Sequence, residues 1–572
     1  MKCTSRRPTA PLLLVLFSFL LNGCQHFQLS PPYLDNDSGG TLTDNQAAYD
    51  LTSAVLDLEI QPRKKRIQGH AVLTVAIQES LPSLTFDLDQ RLKVSRVELI
   101  QSPQSDALLA FVHKENQLHI FPQASWSAGS FAQLRITYAG EPREAVNAPW
   151  DGGFTWAKTQ SNQPWIATSV QGEGADLWWP CKDHPSDKPD SVTLFITVPQ
   201  GLEVAANGLL VSKESRDDGK TTFQWHTNQP ISSYNIALNI GPYVCLTDSF
   251  QSQAGDIMPV YYWVLPENEK KGQILLPEIK QHLAFYERWL GPYPFRTEKY
   301  GVAETPHLGM EHQTIIAYGN QYRGGPHGFD WLHHHELGHE WWGNLVTVKD
   351  WSDFWIHEGF CTYMQALYAE EREGPMAYHH KMYSDRRLLK LQHPLVSDEY
   401  QSMGEVSERL GNDPYYRGAW TLHTLRYLIG DEDFKHCLRR MAYPNKDWEE
   451  RTDGSQCRHA DSEDFIQLVN EVTGQDLQWF FDTYLYQTQL PSLQVVKQAA
   501  GWKLSWQTES GTHFPMPVEI KTLDGRIARY EVPNGELQVQ GPEFEGALID
   551  PSMWILKART YNTTSEPATR LE

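Results

Sequence analysis

The stretch His333-His334-His335-Glu336-Leu337-Gly338-His339-Glu340-Trp341-Trp342 decides how the rest of the chain is read. Only one register in it supplies His-Glu-x-x-His, the one beginning at His335. Residues four apart on a helix lie on one face, so His335 and His339 can bring two imidazoles to one ion at about 2.0 to 2.1 Å. Glu336 sits about a third of a turn around, within reach of a metal-bound water without being a good third ligand. The same pentapeptide also fits a solvated helix face, and a zinc centre needs a third protein ligand and an open position for water. Trp355-Ile356-His357-Glu358-Gly359-Phe360 offers the missing carboxylate, with eighteen residues between His339 and Glu358.

With that gap matched, the chain resembles the M1 family of zinc aminopeptidases, gluzincins whose pattern is this motif, this spacing and a glutamate in an Asn-Glu-Gly-Phe context. Leu308-Gly309-Met310-Glu311-His312 is similar to the family's Gly-Ala-Met-Glu-Asn, and Tyr415-Tyr416-Arg417-Gly418-Ala419 to its Tyr-x-Lys-Gly-Ala. Gln171 lies nine residues before Pro180-Cys181, the spacing of a family glutamine, and Gly291-Pro292-Tyr293-Pro294 resembles the turn before the catalytic core. The resemblance implies one zinc ion per chain on His335, His339 and Glu358, with Glu336 activating the hydrolytic water and Tyr415 assisting as a catalytic tyrosine. It implies a substrate site of Gly309, Met310, Glu311 and Gln171, in which Glu311 binds the free amino terminus of a peptide and Gln171 also contacts that amine, with Glu173 a competitor for the glutamine's role. An ammonium entering a closed site needs a fixed negative partner, which gives Glu311 a physical logic of its own. Leu308, His312, His357 and Arg417 depart from the family's usual Gly, Asn, Asn and Lys.

The reaction so implied is removal of N-terminal residues by attack of activated water on the first peptide bond. Its rivals are an endopeptidase, a relative acting on another small substrate such as an epoxide, and a peptide-binding lipoprotein whose metal site has decayed. Glu311 argues against the first, and the complete set His335, Glu336, His339 and Glu358 against the last.

Outward from the motif, the 572 residues predict several domains. Residues 48–255 carry short alternating runs such as Ala54 to Ile60 and Ala71 to Ile77, punctuated by Gly, Pro, Asn and Asp, and read as a mainly antiparallel β domain. Residues 256–487 read as mostly helical: Ile279, Leu283, Tyr286 and Leu290 fall at helical spacing before Gly291, and Phe354–Glu370, Trp420–Leu428 and Ser462–Val472 are helical patterns. The resemblance implies that this is the catalytic zinc-peptidase domain. By resemblance this domain is thermolysin-like and mainly helical. Alternation returns over residues 488–558, which predicts a small β-sandwich, and residues 559–572 read as a loose tail. The fold class is therefore α+β and multidomain, a three-domain form without the C-terminal helical domain of many relatives. Trp178-Trp179 and Trp341-Trp342 read as core packing, and Asp353 as a partner for a ligating histidine.

Forty-nine Lys and Arg against seventy-one Asp and Glu give a formal charge of −22, which argues against nucleic-acid or anionic-membrane partners. Lys2, Arg6 and Arg7 precede an apolar run, Leu12 to Leu21, too short for a permanent span. Residues 1–23 thus read as an export signal. Leu21-Asn22-Gly23-Cys24 resembles the bacterial lipobox, which implies a lipid on Cys24 and a periplasmic, membrane-anchored protein; the alternative is ordinary cleavage nearby. The only membrane contact expected is through that lipid. Residues 24–47 read as a tether without fold. Five cysteines follow Cys24 without metal spacing, and at most one pair, with Cys437 and Cys457 nearest in sequence, is expected.

Overall fold

The computed structural model describes residues 37–101, 106–498, 501–541, 544–558 and the backbone of strand Tyr561–Thr563. The export signal, Cys24 and the first part of the tether lie outside the described residues. In the strands Tyr49–Gln61 and Arg66–Ile77 every second residue turns inward: Ala54, Leu56, Leu58 and Ile60 on one, Ala71, Leu73, Val75 and Ile77 on the other. They pair antiparallel, Leu56 opposite Ala71 and Ile60 opposite Ile67, at the centre of an eight-stranded sheet. Its one parallel join sets Ser53–Glu59 beside Ser191–Thr197. A four-stranded and a three-stranded sheet complete this β domain.

Strand Val244–Gln251, placed with the β domain by the sequence, belongs to the next one. It pairs with Ile257–Val264 in a five-stranded sheet that continues through Tyr300–Glu304, Ile316–Tyr318 and Gly309–Met310. Both strands of this hairpin read as further short β runs, so nothing in the sequence marks the change of sheet. The inner strands gave no signal either: Tyr300–Glu304 and Ile316–Tyr318 are buried on both faces and have no period of two. Helix Glu269–Leu290 packs on this sheet and ends at Gly291, whose φ of 106° needs glycine. Helices Trp331–Gly338, Trp355–Glu373 and Asp413–Ile429 carry the motif residues.

The last domain is two small sheets over a core of Trp506, Phe514, Val518 and Ile520. Tyr561–Thr563, in the stretch read as a loose tail, adds a parallel strand beside Gln494–Val496. The tether also needs correcting. Met403 N donates to Ser38 O at 2.9 Å and Gly40 N to Gln401 O at 3.2 Å, while Ser38 N and Gly39 N donate to Gly172 O and Asp183 O at 3.1 and 3.2 Å. The Asp37 carboxylate accepts from Gly404 N at 2.7 Å and from the Ser402 hydroxyl. Residues 37–40 therefore strap the β domain to the helical one. Gly39, at φ 83°, has no room for a side chain because a methyl would overlap the Trp351 indole, so a glycine in a stretch of linker-like composition serves a close approach.

Candidate active site

The first motif helix begins at Asp330, whose Oδ1 accepts from His333 N at 3.0 Å. It runs only to Gly338, where a methyl would meet the Tyr286 hydroxyl at 2.5 Å and Cys361 Sγ at 2.9 Å. Glycine there lets the helix lie directly against its neighbours. Glu358 sits in the first turn of helix Trp355–Glu373, facing both histidines.

His335 Nε2 lies 3.0 Å from Glu358 Oε2 and 3.3 Å from His339 Nε2, and His339 Nε2 lies 3.5 Å from Glu358 Oε2. Around a tetrahedral ion with ligands at about 2.05 Å, neighbouring donor atoms are about 3.3 Å apart. The three atoms thus have the spacing of one face of such a site. His339 Nδ1 bonds Trp342 O at 2.9 Å, which takes the ring proton and leaves Nε2 free to ligate. All three residues are buried. Negative charge is crowded here, since donor atoms of Glu311, Glu336 and His339 also lie within 4.8 Å of one another. Burial, reinforced by Glu311 and Glu358 against the pull of His339, pushes Glu336 well above the usual carboxylate range. Burial acts the same way on Glu358, but the two imidazoles outweigh it and hold that carboxylate far below the range. Two imidazoles and a carboxylate, beside two more carboxylates, form a donor set suited to a divalent cation.

Glu311 comes off the short strand Gly309–Met310. Its Oε1 accepts from Gln171 Nε2 at 2.5 Å and from the Tyr234 hydroxyl at 3.1 Å, and its backbone carbonyl accepts from Asn344 Nδ2 at 3.0 Å. Glu173 is engaged elsewhere, with Gly152 N at 2.5 Å and Arg143 at 3.7 Å, so Gln171 is the one that meets Glu311. Gly309 and Met310 are both buried, and a methyl on Gly309 would lie 2.6 Å from Glu336 Oε1. The Tyr415 ring stacks on His335 with centroids 6.0 Å apart. Burial, then the carboxylates of Glu358, Glu311 and Glu336, push its hydroxyl well up, so it stays protonated and able to donate. Tyr234, Asn235 and Asn344 carried no signal in the sequence, because they belong to no spaced motif.

Two family profiles match the chain: "Peptidase family M1 domain" over residues 330–484 and "Peptidase M1 N-terminal domain" over residues 45–235. The chain belongs to peptidase family M1. Among M1 relatives, "Leucyl aminopeptidase" of Saccharolobus solfataricus is 23% identical over 60% of this chain and 43% of its own length, and "Aminopeptidase N" of Oryctolagus cuniculus 25% identical over 66% and 39%. The chain thus spans less than half the length of these relatives. A mutant M1 zinc metallopeptidase of Deinococcus radiodurans, solved with a Tyr-Ser-Ala substrate, shares the fold at a TM-score of 0.63, with 24% identity over 78% of this chain and 96% of that one.

Two of the departures from the M1 pattern, His357 and Arg417, have local explanations. His357 Nε2 accepts from Val348 N at 3.1 Å, and burial pushes the ring down to about 3, so it is a neutral acceptor. Burial likewise pushes His312 down to about 3. Arg417 donates to the carbonyls of His393, Tyr484 and Gln487 at 2.8, 2.8 and 2.5 Å, tying its helix to the end of the helical domain. Asp353 was read as a partner for a ligating histidine, but its Oδ1 accepts from Ser462 N and Oγ at 3.1 and 2.5 Å. It holds the first residue of helix Ser462–Thr473, whose own cap is Asp461, and proximity in sequence to Glu358 was a misleading cue. Cys437 and Cys457 are free thiols. Trp178, Trp179, Trp341 and Trp342 are fully buried, as expected of core residues.

Proposed function

We propose that this chain is a zinc aminopeptidase that removes N-terminal residues from peptides, with one zinc ion per chain on His335, His339 and Glu358. The observation that carries the reading is the buried Glu311 carboxylate, with donor atoms within 4.8 Å of both Glu336 and His339. A substrate ammonium held there leaves the first peptide bond, and no later one, beside the metal ligands. The names of its M1 relatives support the same activity.

Bound zinc supplies a water of lowered pKa and polarises the scissile carbonyl. Glu336 accepts the proton of the attacking water and returns it to the leaving amine. The Tyr415 hydroxyl donates to the oxygen on which charge develops. Glu311, Gln171 and the buried strand Gly309–Met310 hold the amino end. The lipobox-like segment supports a further element of the proposal, a lipid on Cys24 that fixes the enzyme to a bacterial membrane facing the periplasm.

Acetylating the substrate removes its positive charge and leaves Glu311 without its partner. A hydrogen bond to a charged group contributes about 1.5 to 3 kcal/mol, and leaving the carboxylate unpaired adds to that. N-acetylated peptides are therefore expected to lose at least about a hundredfold in kcat/KM against free ones. Equal turnover of the two, or internal cuts in a long peptide, would reassign the enzyme as an endopeptidase.

A further inference from the structure

We propose that Tyr234, on a turn of the β domain, is the positioning residue that aims the Glu311 carboxylate at the substrate amine. The proposal rests on the aminopeptidase reading of the site. It begins from an asymmetry: Glu311 Oε1 accepts two hydrogen bonds, from Gln171 and Tyr234, while Oε2 accepts none from another residue among the described residues. A carboxylate oxygen has two lone-pair directions. Two donors on Oε1 occupy both, so the carboxylate cannot spin about its last bond and Oε2 is the oxygen left for an ammonium.

Tyr234 is suited to hold that orientation. It is 2% exposed, and its ring meets Trp351 edge to face at 5.8 Å. The turn Ser233–Asn235 also reaches the other end of the same residue. Asn235 Nδ2 donates to Asn344 Oδ1 at 2.7 Å, and Asn344 Nδ2 donates to the Glu311 carbonyl at 3.0 Å. One turn therefore fixes both the backbone and the carboxylate of Glu311 across the boundary between two domains. A tyrosine hydroxyl on a packed ring has little freedom to leave, in contrast to the three-torsion side chain of Gln171.

The test is Tyr234→Phe, which keeps the ring and its packing and removes one hydroxyl. Its readout is kcat and KM on a peptide with a free amino end and on the same peptide N-acetylated, with zinc content measured alongside. The expected result is a loss of about ten- to a hundredfold in kcat/KM on the free peptide, mostly through KM, with unchanged zinc and unchanged activity on the acetylated one. Equal losses on both peptides would mean a merely structural role, and no loss would mean no role; either overturns the proposal. Placed on a Glu311→Gln background, Tyr234→Phe is expected to add little, because both act through one contact; additive losses would also overturn it. If the wild type does not distinguish the two peptides, the aminopeptidase reading falls and this proposal with it, whereas discrimination that survives Tyr234→Phe removes the proposal alone.

Discussion

Gly359 and Gly418 touch across two helices: a methyl on Gly418 would lie 2.9 Å from the Gly359 Cα, and one on Gly359 would lie 2.8 Å from the Gly418 Cα. This crossing sets Glu358 and Tyr415, each a short step along its helix, at the same site. It also makes a prediction with a definite sign. Alanine is favoured over glycine in a helix by about 1 kcal/mol, so without the contact Gly418→Ala would stabilise the protein. Backbone against backbone cannot yield cheaply, and overpacking of this kind costs about 1 to 3 kcal/mol. Gly418→Ala is expected to lower the melting temperature and to reduce kcat by displacing Tyr415. A raised melting temperature with full activity would contradict the packing argument.

Metal content separates the ligands from the base. Purified protein is expected to carry about one zinc per chain and to lose turnover on chelation, and Glu358→Ala, His335→Ala and His339→Ala should lose both metal and activity. Glu336→Gln is expected to keep the metal while losing proton transfer, worth about 100-fold to 10000-fold. Full zinc occupancy and activity in Glu358→Ala would show that the ligand set is wrong.

Three buried carboxylates give the fold an acid preference. Burial pushes Asp87 to about 7 and Asp183 to about 6, and it pushes Asp187 to about 7 against the opposing pull of Lys182, 3.0 Å away. In the unfolded chain an aspartate titrates near about 3.9, so between these values the folded state holds more protons. Stability then falls as pH rises towards the folded values, and the favourable contribution is gone above about pH 7 to 8. Buried histidines such as His312 and His357, pushed down to about 3, act the opposite way below about pH 6.5. The melting temperature should therefore decline between about pH 6.5 and pH 8, with a shallower slope in Asp87→Asn. A wild-type melting temperature that rises across this window would show the carboxylates to be ionised in the fold.

The lipid anchor has its own test. Protein from a bacterial host is expected to partition with membranes and to have a blocked N-terminus, and Cys24→Ala should move it to the soluble fraction. A free N-terminus at another position would exclude lipidation and leave the enzymatic reading untouched.

Residues whose chemistry demands a fixed spacing were legible in the sequence. His335 and His339 are one helical turn apart, Glu358 follows at the family's interval, and these three do converge. Glu311 and Gln171 could be named from the resemblance, but that their side chains meet at 2.5 Å depends on how two domains pack, which no local pattern encodes. Tyr234 was invisible for the same reason. The strands Tyr300–Glu304 and Ile316–Tyr318 were missed because burial on both faces erases alternation. Asp37 was misread because Ser38-Gly39-Gly40 has a linker's composition, and only Trp351 packed above Gly39 reveals why glycine stands there.

The donors that hold the Glu311 carboxylate, Gln171 and Tyr234, come from the β domain, while Glu311 itself and His335, Glu336, His339 and Glu358 come from the helical one. On the proposed reading, the aim of the carboxylate that admits an amino end is therefore set by one domain, while that carboxylate and the residues that break the bond are carried by the other. On that reading, substitutions in the β domain's turn can alter how the carboxylate is aimed while the residues of the proposed hydrolytic site stay in place.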